Sequence, residues 1–340
     1  MKLLESYPYA ISGIVISFNT RELLRESLES LLGECKQLPE GAKAEILVVD
    51  NDSKDGSPEM VEREFSDVSS PVRLIRSSVN LGFGAANNLA MEQSQGRYLV
   101  LLNSDAFPHA GSLRRALEHI EASPSTGLGG ARLVGRDDES QPSGRCFHSI
   151  WNDSVTLTGI SAKYPKSKIF GAPDRTWADQ NVAAEVDWVP GAFMIIRREA
   201  ISKVGMFDPR FFLYYEETDL CRRVKAAGYK VSYWPDVVVT HIGGESGKQL
   251  RLLNNSPSAS RVELWRMRST LLYYRKHHGW QAWLAQWLER GLYTLRWLRN
   301  RNSGNPRRRE RAAESLLMAD LMRQAWRDTQ GGRVSPPTPW

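Results

Sequence analysis

Residues 45–53 read EILVVDNDS, an almost unbroken apolar run that ends at once in acidic and amide side chains. The pattern occurs twice more, in GIVISFNT at residues 13–20 and in RYLVLLNSD at residues 97–105. Short runs that are apolar throughout are typical of strands covered on both faces of a parallel sheet. Segments with helical spacing of apolar residues separate these runs. The chain therefore predicts an α/β fold with a mostly parallel central sheet.

Polar side chains follow each predicted strand at its carboxyl end, where open parallel sheets bind their ligands. Ser17 and Asn19 follow the first strand, Asp50 and Asp52 the second, and residues 103–105, Asn-Ser-Asp, the fourth. Each cluster by itself is equally typical of a helix N-cap. Three such clusters on one edge of a sheet favour a binding site over capping alone.

The chemistry of these clusters suits a nucleotide and a cation. The carboxylates of Asp50 and Asp52 can accept hydrogen bonds from a nucleobase N–H or from sugar hydroxyls. Asn103 and Asp105 offer alternating oxygen ligands of the kind that Mg²⁺ prefers. The segment NLGFGAANN at residues 80–88 opens a helix with two glycines, which permit close approach of an anion to the backbone. As a dinucleotide fingerprint it is weak, because it follows the third strand and has Asn87 at the third glycine position.

Two further positions carry titratable groups. Residues 216–219, EETD, begin a helix, where the helix dipole alone would account for acidic residues. The functional interpretation is that Glu217 is a general base beside an aromatic pocket formed from the preceding FFLYY, residues 211–215, whose apolar character would raise its pKa. His241 ends a strand in VVVTHIGG and, taken alone, is more typical of a structural histidine than of a metal ligand.

Composition and charge exclude several classes of protein. No run reaches the roughly 18–20 apolar residues of a membrane-spanning helix, and the first ten residues, MKLLESYPYA, have no signal-peptide core, so we expect no export. Three widely separated cysteines predict neither a disulfide framework nor a zinc site and fit a reducing cytosol. The charge is uneven: residues 242–340 contain 18 Lys and Arg against 7 Asp and Glu, and 7 of the 11 tryptophans. A basic, Trp-rich extension of this kind needs an anionic partner or surface.

Taken together and in this order, the motifs resemble family 2 glycosyltransferases, inverting enzymes with one nucleotide-sugar-binding domain of the GT-A type. The resemblance spans roughly residues 10–245. It rests on these stretches: VISFNT, VVDNDSKDG, NLGFGAANN, LLNSDA, the run from WVPGAFMIIRREA to AAGYKV, and VVTHIGG. Within the family the chain looks most like bacterial rhamnosyltransferases of cell-surface polysaccharide synthesis, a resemblance that RSTLLYYRKHHG at residues 268–279 extends.

For the donor, the resemblance implies a set of nucleotide- and sugar-contacting residues. The nucleoside pocket would contain Ser17, Asn19, Asp50 and Asp52, and the diphosphate and donor sugar would lie beside Gly84, Asn87 and Ser104. The segment containing Trp188, Gly191 and Ala192 would line the cleft for donor and acceptor.

For catalysis, the resemblance implies a Mg²⁺ or Mn²⁺ site and a base. Asp105 and Asn103 match the metal-binding Asp-x-Asp, with a neutral Asn in the first position, and His241 would complete the metal ligands. Glu217 matches the catalytic-base position of a Glu-Asp pair that is Glu-Glu here, so Glu216 is an alternative base. Such an enzyme needs no nucleophilic Ser or Cys, because the acceptor hydroxyl attacks the anomeric carbon directly.

Three other interpretations stay open on the sequence. One is a non-catalytic nucleotide-sugar-binding scaffold, and another is an NAD-dependent oxidoreductase, which would need a glycine-rich turn where this chain has SFNT. The basic extension could bind nucleic acid on charge alone, but no recognised motif supports that. We therefore expect as partners a nucleotide-diphosphate sugar and a glycan or lipid-linked acceptor, and no nucleic acid.

The predicted organisation is a GT-A domain over residues 1–245, a basic Trp-rich helical extension over 246–330 and a disordered tail over 331–340. In the extension, residues 280–298 place three tryptophans and four leucines on one broad helix face: Trp280, Trp283, Leu284, Trp287, Leu288, Leu295 and Leu298. Such a face either packs on the rest of the protein or lies on a membrane. Flanking arginines favour peripheral attachment to the inner face of the cytoplasmic membrane.

Overall fold

A computed structural model describes residues 7–65, 67, 69–243 and 257–336 of the chain. By its internal contacts the chain divides into two units. The sheet unit comprises Met1–Phe147, Asp174–Asp208 and Glu216–Ser246, and the helical unit comprises His148–Pro173, Pro209–Tyr215 and Gly247–Trp340. The predicted boundary between residues 245 and 246 lies outside the described residues. Two segments that precede this boundary in sequence nevertheless belong to the helical unit.

The sheet unit alternates strands and helices along most of its length. Its elements are β1 (Tyr9–Ser17), α1 (Arg21–Cys35), β2 (Ala44–Asn51), α2 (Ser57–Phe65), β3 (Val72–Ser77), α3 (Phe83–Gln93), β4 (Gly96–Asn103), β5 (Ala106–Pro108), α4 (Ser112–Ala122), β6 (Thr126–Val134), β7 (Ala184–Glu185), β8 (Phe193–Arg197), α7 (Arg198–Val204), α8 (Glu216–Ala226) and β9 (Lys230–His241).

One sheet contains all the described strands, in the order β3-β2-β1-β4-β8-β6-β9-β5, with β7 paired to β9. The first four strands in this order, β3, β2, β1 and β4, are parallel to one another, whereas β8 runs antiparallel to both of its neighbours. The predicted α/β fold with a mostly parallel sheet is thus confirmed. Register aligns the strand ends, because Ser17 pairs with Asp50 and Ile16 with Asn103. The polar clusters of the sequence therefore share one edge.

Alternation along the strands explains why they are apolar throughout. In β2, Ile46 and Val48 belong to a core cluster that includes leucines of α1, while Leu47 and Val49 belong to a cluster that includes alanines of α3. Each strand is covered on both faces, so successive side chains are all buried.

Three elements of the sheet unit were not predicted: β5, α4 and β6. Strand β6 (TGLGGARLV) is glycine-rich, a composition that disfavours strands. A Cβ at Gly129 would overlap the Trp234 ring, and one at Gly130 would overlap Val189, so glycine is required by close packing. Strand β9 has a register irregularity, because Ala131 pairs with Trp234 whereas the next residue, Arg132, pairs with Val238.

The helical unit contains α5 (Ile150–Leu157), α6 (Ile160–Lys163), α9 (Pro257–His278), α10 (Gln281–Asn300) and α11 (Pro306–Asp328). The predicted C-terminal helices are therefore present. Among the described helices, none has the length and apolar character needed to cross a membrane. The prediction of disorder from residue 331 is wrong at its start: Gly331 and Gly332 are buried, and the Gly331 carbonyl accepts a hydrogen bond of 2.9 Å from Arg275 Nε. Residues 337–340 lie outside the described residues.

Helix α10 buries polar residues and exposes its apolar stripe, the reverse of an ordinary amphipathic helix. Its buried residues are Ala282, Gln286 and Glu289, while three tryptophans and two leucines of the predicted stripe are exposed: Trp280, Trp283, Trp287, Leu295 and Leu298. The Glu289 carboxylate accepts from Arg266 of α9 at 2.6 Å. The burial of the charged Glu289 is a finding that only the tertiary structure supplies.

Candidate functional site

Antiparallel pairing of β5 with β9 brings His241 to the end of β4. Ala106 is the register partner of His241. Consequently His241 Nε2 lies 3.6 Å from Asp105 Oδ1 and 3.5 Å from the Asn103 side-chain amide. The three residues that the sequence proposed as metal ligands, which span 138 positions, are thus adjacent in the structure.

Gln141, which the sequence analysis did not identify, fixes the orientation of the histidine ring. Its Nε2 donates to the His241 carbonyl at 2.7 Å, so its Oε1 is the atom that faces His241 Nδ1 at 3.0 Å. An amide oxygen only accepts, so the neutral ring carries its proton on Nδ1 and directs the lone pair of Nε2 towards Asp105. Metal-binding histidines in proteins are oriented by such a partner on the second nitrogen.

These three side chains suit a hard divalent cation whose remaining ligands are phosphate and water oxygens. In the described part of the chain, no group of three or more His, Cys, Asp or Glu side chains is arranged to hold a metal ion. The available donors are therefore one carboxylate, one imidazole and one amide, which leave coordination positions for diphosphate and water oxygens. Mg²⁺ and Mn²⁺ are commonly bound in this way, through few protein groups and substrate phosphates.

A chain of hydroxyl groups connects the ends of β1 and β4. Thr20 Oγ1 donates to Ser104 Oγ at 2.8 Å and lies 3.1 Å from Ser17 Oγ. Ser17 is fully buried and Ser104 nearly so. With no exposed surface, Ser17 can act on a nucleotide only by positioning Thr20 and Ser104.

Asp50 has a buried carboxylate of which one oxygen accepts a hydrogen bond. Its Oδ2 accepts from the Ser53 backbone N–H at 3.1 Å, while its Oδ1 is buried and has no hydrogen-bond partner among the described residues. Burial raises the pKa of Asp50, against the lowering effect of the hydrogen bonds from Ser53. A buried acceptor without a partner is costly, and a ligand N–H would satisfy it.

The loops after β1 and β2 are joined around Asn19. Its backbone N–H donates to Ser53 Oγ at 2.9 Å, and its Oδ1 accepts from the Lys54 backbone N–H at 2.7 Å. Asn19 and Asp52 both adopt the left-handed backbone region, with φ of 54° and 70°. Asp52 is partly exposed and forms an ion pair with Lys54. These loops thus present Asn19 and Asp52 beside the buried Asp50.

The turn before α3 is organised by Asn51, a second residue that the sequence analysis missed. Its side chain accepts from the Leu81 backbone N–H at 2.8 Å and donates to Asn80 Oδ1 at 3.0 Å. Gly82 follows with φ of 79° and ψ of −179°, a conformation essentially restricted to glycine. The signal that could have found Asn51 is its place between Asp50 and Asp52.

Gly84 lies where α3 approaches the catalytic-base candidates. A Cβ at Gly84 would come 3.2 Å from Phe207 Cβ and 3.4 Å from Glu216 Cβ. Asn87 is buried and donates to the Phe83 carbonyl at 2.9 Å, within its own helix. Its neighbour Asn88 forms two hydrogen bonds with the Phe207 backbone, at 2.8 and 3.0 Å. Asn88 is therefore the residue that joins α3 to the segment leading towards α8.

The acids at the start of α8 differ in their surroundings. Glu216 is buried and Glu217 is half-buried. Asp219 is fully buried and pairs with Arg223 at 2.8 Å, and Arg223 also donates to three backbone carbonyls of one loop, those of Val204, Gly205 and Met206. Asp219 thus has a structural role, which leaves Glu216 and Glu217 for chemistry.

Two of the aromatic residues proposed to surround Glu217 belong to a core cluster of the helical unit. Phe211 and Tyr215 are buried in a cluster of the helical unit with Leu272, Tyr273 and Tyr274. Tyr215 lies 4.4 Å from the ring of His148 in the same unit, centroid to centroid. Phe211 and Tyr215 therefore contribute to the core of the helical unit.

The segment with Trp188, Gly191 and Ala192 borders β4 and α3. The Ala192 carbonyl accepts from the Asn103 backbone N–H at 3.1 Å, and a Cβ at Gly191 would come 3.0 Å from the Phe83 ring. Trp188 is buried, donates from Nε1 to the Cys146 carbonyl at 2.9 Å and stacks under Arg145. Gly191 and Ala192 therefore adjoin the candidate site, whereas Trp188 supports it from within the core.

Comparisons relate the chain to known proteins. The family model described as Glycosyl transferase family 2 matches residues 12–205. The N-acetylglucosaminyl-diphospho-decaprenol L-rhamnosyltransferase of Mycobacterium tuberculosis is 26% identical over 262 residues, 74% of this chain and 81% of that protein. The rhamnosyltransferase WbbL of Escherichia coli K12 is 24% identical over 56% of this chain and 69% of that protein.

A solved structure shares the fold. The mannosyltransferase PcManGT of Pyrobaculum calidifontis, in complex with GDP-Man and Mn²⁺, superposes with a TM-score of 0.57 at 16% identity, over 96% of this chain and 88% of that one. At this identity the likeness concerns the fold alone.

Proposed function

The chain belongs to glycosyltransferase family 2 and is a glycosyltransferase related to rhamnosyltransferases, and on that premise we propose how its residues transfer a sugar. The observation that carries the proposal is the approach of His241 Nε2 to Asp105 Oδ1, 3.6 Å, at the sheet edge that also carries Asp50. That edge combines a cation site with a nucleoside site, as a nucleotide-diphosphate sugar requires.

Donor binding uses two groups of residues at the carboxyl edge of the sheet, one for the nucleoside and one for the diphosphate. The unpartnered Oδ1 of Asp50 accepts a nucleobase N–H, with Asn19 and Asp52 beside it for the ribose. Asp105, Asn103 and His241 would hold Mg²⁺ or Mn²⁺, which would neutralise the charge of the diphosphate. Gly84 and Asn87 place the start of α3 beside the diphosphate and the sugar, since a helix N-terminus favours an anion.

The proposed reaction is a single displacement with inversion. Glu217 takes the proton of an acceptor hydroxyl, whose oxygen attacks the anomeric carbon as the bond from that carbon to the diphosphate oxygen breaks. The diphosphate leaves with the bonding electron pair, and no covalent enzyme intermediate forms. Glu216, buried against α3, is the alternative base.

For the substrates, we propose a rhamnosyl donor, dTDP-rhamnose, and a saccharide or lipid-linked saccharide acceptor, with the enzyme acting at the inner face of the cytoplasmic membrane. The similarity to the M. tuberculosis and E. coli rhamnosyltransferases supports the rhamnosyl donor, and the first of these relatives also supports a diphospho-polyprenol acceptor.

The test is transfer by the purified full chain from dTDP-rhamnose to N-acetylglucosaminyl-diphospho-polyprenol in the presence of Mn²⁺, followed by mass spectrometry. UDP-glucose, UDP-N-acetylglucosamine and GDP-mannose are the competing donors. The product should carry an anomeric configuration opposite to that of the donor. Tight nucleotide-sugar binding without transfer or hydrolysis of any donor would favour the scaffold interpretation instead.

Replacing Gln141 is expected to raise the metal requirement of the enzyme. In Gln141→Leu the His241 ring loses the acceptor that orients it, and loss of such a partner typically weakens metal binding about 10–100-fold. The measurement is initial rate against Mn²⁺ concentration. Gln180→Leu is the matched control, because Gln180 also donates to backbone carbonyls of the sheet unit, those of Arg175 and Ala178. An unchanged Mn²⁺ dependence in Gln141→Leu would contradict the assigned role of His241.

Nucleotide affinity is expected to fall on acidification at a higher pH than an ordinary aspartate would dictate. Burial raises the pKa of Asp50, and its carboxylate must be ionised to accept on both oxygens. Affinity is therefore full above this raised pKa and is lost as the pH falls through it. Calorimetric titration with dTDP over a pH series, for the wild type and Asp50→Asn, isolates the effect, since the amide does not titrate. A constant ratio of the two affinities across the series would remove Asp50 from the nucleoside pocket.

A further inference from the structure

Five large apolar side chains of the helical unit are exposed on one side of α10 and the turn before it. Trp280 is 67% exposed, Trp283 50%, Trp287 52%, Leu295 64% and Leu298 46%. At about 100° per residue these positions share one side of the helix. We call them the tryptophan face.

The rotation of α10 is fixed by its opposite, polar side. Glu289 pairs with Arg266 of α9 at 2.6 Å, and its side chain is only 5% exposed. Arg266 in turn pairs with Glu263 at 2.9 Å. Separating a buried ion pair leaves an uncompensated charge, which is strongly unfavourable. Rotation of α10 that turned its tryptophans inward would therefore break the ion pairs among Glu263, Arg266 and Glu289.

Basic residues accompany the tryptophan face. Arg299 and Arg301 are exposed at the end of α10, and Arg307, Arg308 and Arg309 are exposed at the start of α11. Glu289 is the one acidic residue of α10, and its charge is neutralised by the ion pair with Arg266. Tryptophan with arginine is the combination that places a helix in the interface of an anionic leaflet, tryptophan at headgroup level and arginine on the phosphates. A protein partner would be expected to meet such a face with acidic residues, and a second copy of this basic surface would repel itself.

We propose that the tryptophan face is a membrane-docking surface for anionic lipid, with α10 lying in the plane of the bilayer interface. The proposal deepens the proposed function and rests on it for its purpose, because an enzyme docked in this way meets a lipid-linked acceptor on the surface where that acceptor resides. The docking itself depends only on the helical unit's own residues. Lipid binding is measured without sugar nucleotide, so a failure of docking and a failure of transfer are observed separately.

The experiment is flotation of the full chain with vesicles of phosphatidylcholine alone and of phosphatidylcholine with 30% phosphatidylglycerol. We expect recovery with the anionic vesicles that falls with added salt, and a blue shift of tryptophan emission on binding. Trp283→Ala with Trp287→Ala should weaken binding at least tenfold. Trp151→Ala is the matched control, since Trp151 is 52% exposed in the same unit but outside the tryptophan face, and it should bind as the wild type does.

Charge is tested separately. Arg299→Glu with Arg301→Glu should weaken binding to anionic vesicles more than tenfold, since each basic residue at such a surface contributes about fivefold. Arg63→Glu with Arg114→Glu changes the net charge equally on exposed arginines of the sheet unit and should have little effect. Equal recovery on neutral and anionic vesicles, recovery on neither, or a tryptophan variant that alters only the oligomeric mass in solution would overturn the proposal.

Discussion

Glu217→Gln is expected to lower the rate of sugar transfer by about 10²–10⁴-fold, the usual contribution of a general base, while dTDP affinity stays within a factor of two or so. The amide keeps the size of the side chain but cannot take the proton of the acceptor hydroxyl. Glu217 is half-buried at the first turn of α8. The measurements are single-turnover transfer and calorimetric nucleotide binding on the same preparation.

Glu216→Gln separates the two adjacent acids. Glu216 is buried where α8 meets Gly84 of α3, so its replacement should perturb packing more than proton transfer. A thermal unfolding midpoint measured for both variants shows which one acts through the fold. If Glu217→Gln keeps most of its turnover while Glu216→Gln loses it at an unchanged midpoint, the assignment within the pair is reversed. If both stay active, the acids at the start of α8 serve only the helix dipole.

Asp105→Ala is expected to reduce transfer by on the order of 10³-fold or more. A bound cation contributes several kcal/mol to the stabilisation of a departing phosphate, and each 1.36 kcal/mol corresponds to a factor of ten in rate. Without the Asp105 carboxylate, the Asn103 amide and the His241 imidazole are the remaining candidate ligands. The affinity for dTDP should fall far more than the affinity for thymidine, because the cation meets the diphosphate and Asp50 meets the base.

A second Asp–His pair of the sheet unit provides the control. His119 Nε2 lies 2.8 Å from Asp236 Oδ2, away from the carboxyl edge of the parallel strands. Asp236→Ala should leave both the Mn²⁺ dependence and the ratio of dTDP to thymidine affinity unchanged. Chelation with EDTA should abolish transfer by the wild type, and addition of Mn²⁺ should restore it. Full activity in the chelator would rule out a metal at Asp105.

The parallel half of the sheet was predictable from the sequence because its determinants are local. Apolar runs and the polar residues that follow them located β1, β2 and β4 within a few residues of their observed bounds. The family was likewise recognisable, since its motifs are short and contiguous, and the matching family model confirms it. Strand β6 was not predicted because its glycines, Gly129 and Gly130, are required by close contacts with Trp234 and Val189, which are distant in sequence.

The supporting residues of the site were not predictable, because their partners are distant in sequence. Gln141 lies in a stretch rich in Gly, Pro and Ser without periodicity, and its role exists only because His241 is 100 positions away in sequence and adjacent in space. Asn88 was quoted within a motif, but its bonds to Phe207 span 119 positions. Conversely, Phe211 and Tyr215 were expected beside Glu217 on sequence proximity, and packing assigned them to the helical unit.

The sequence by itself determined the parallel strands β1 to β4, the family, and which polar residues follow which of these strands, because these depend on composition and spacing within a dozen residues. The tertiary structure alone decided that β5 pairs with β9 and so brings His241 to Asp105. It also decided which side of α10 is exposed. A helical pattern shows that two faces differ but not which is buried, and here the Arg266–Glu289 pair holds the polar side inward and leaves the tryptophans exposed.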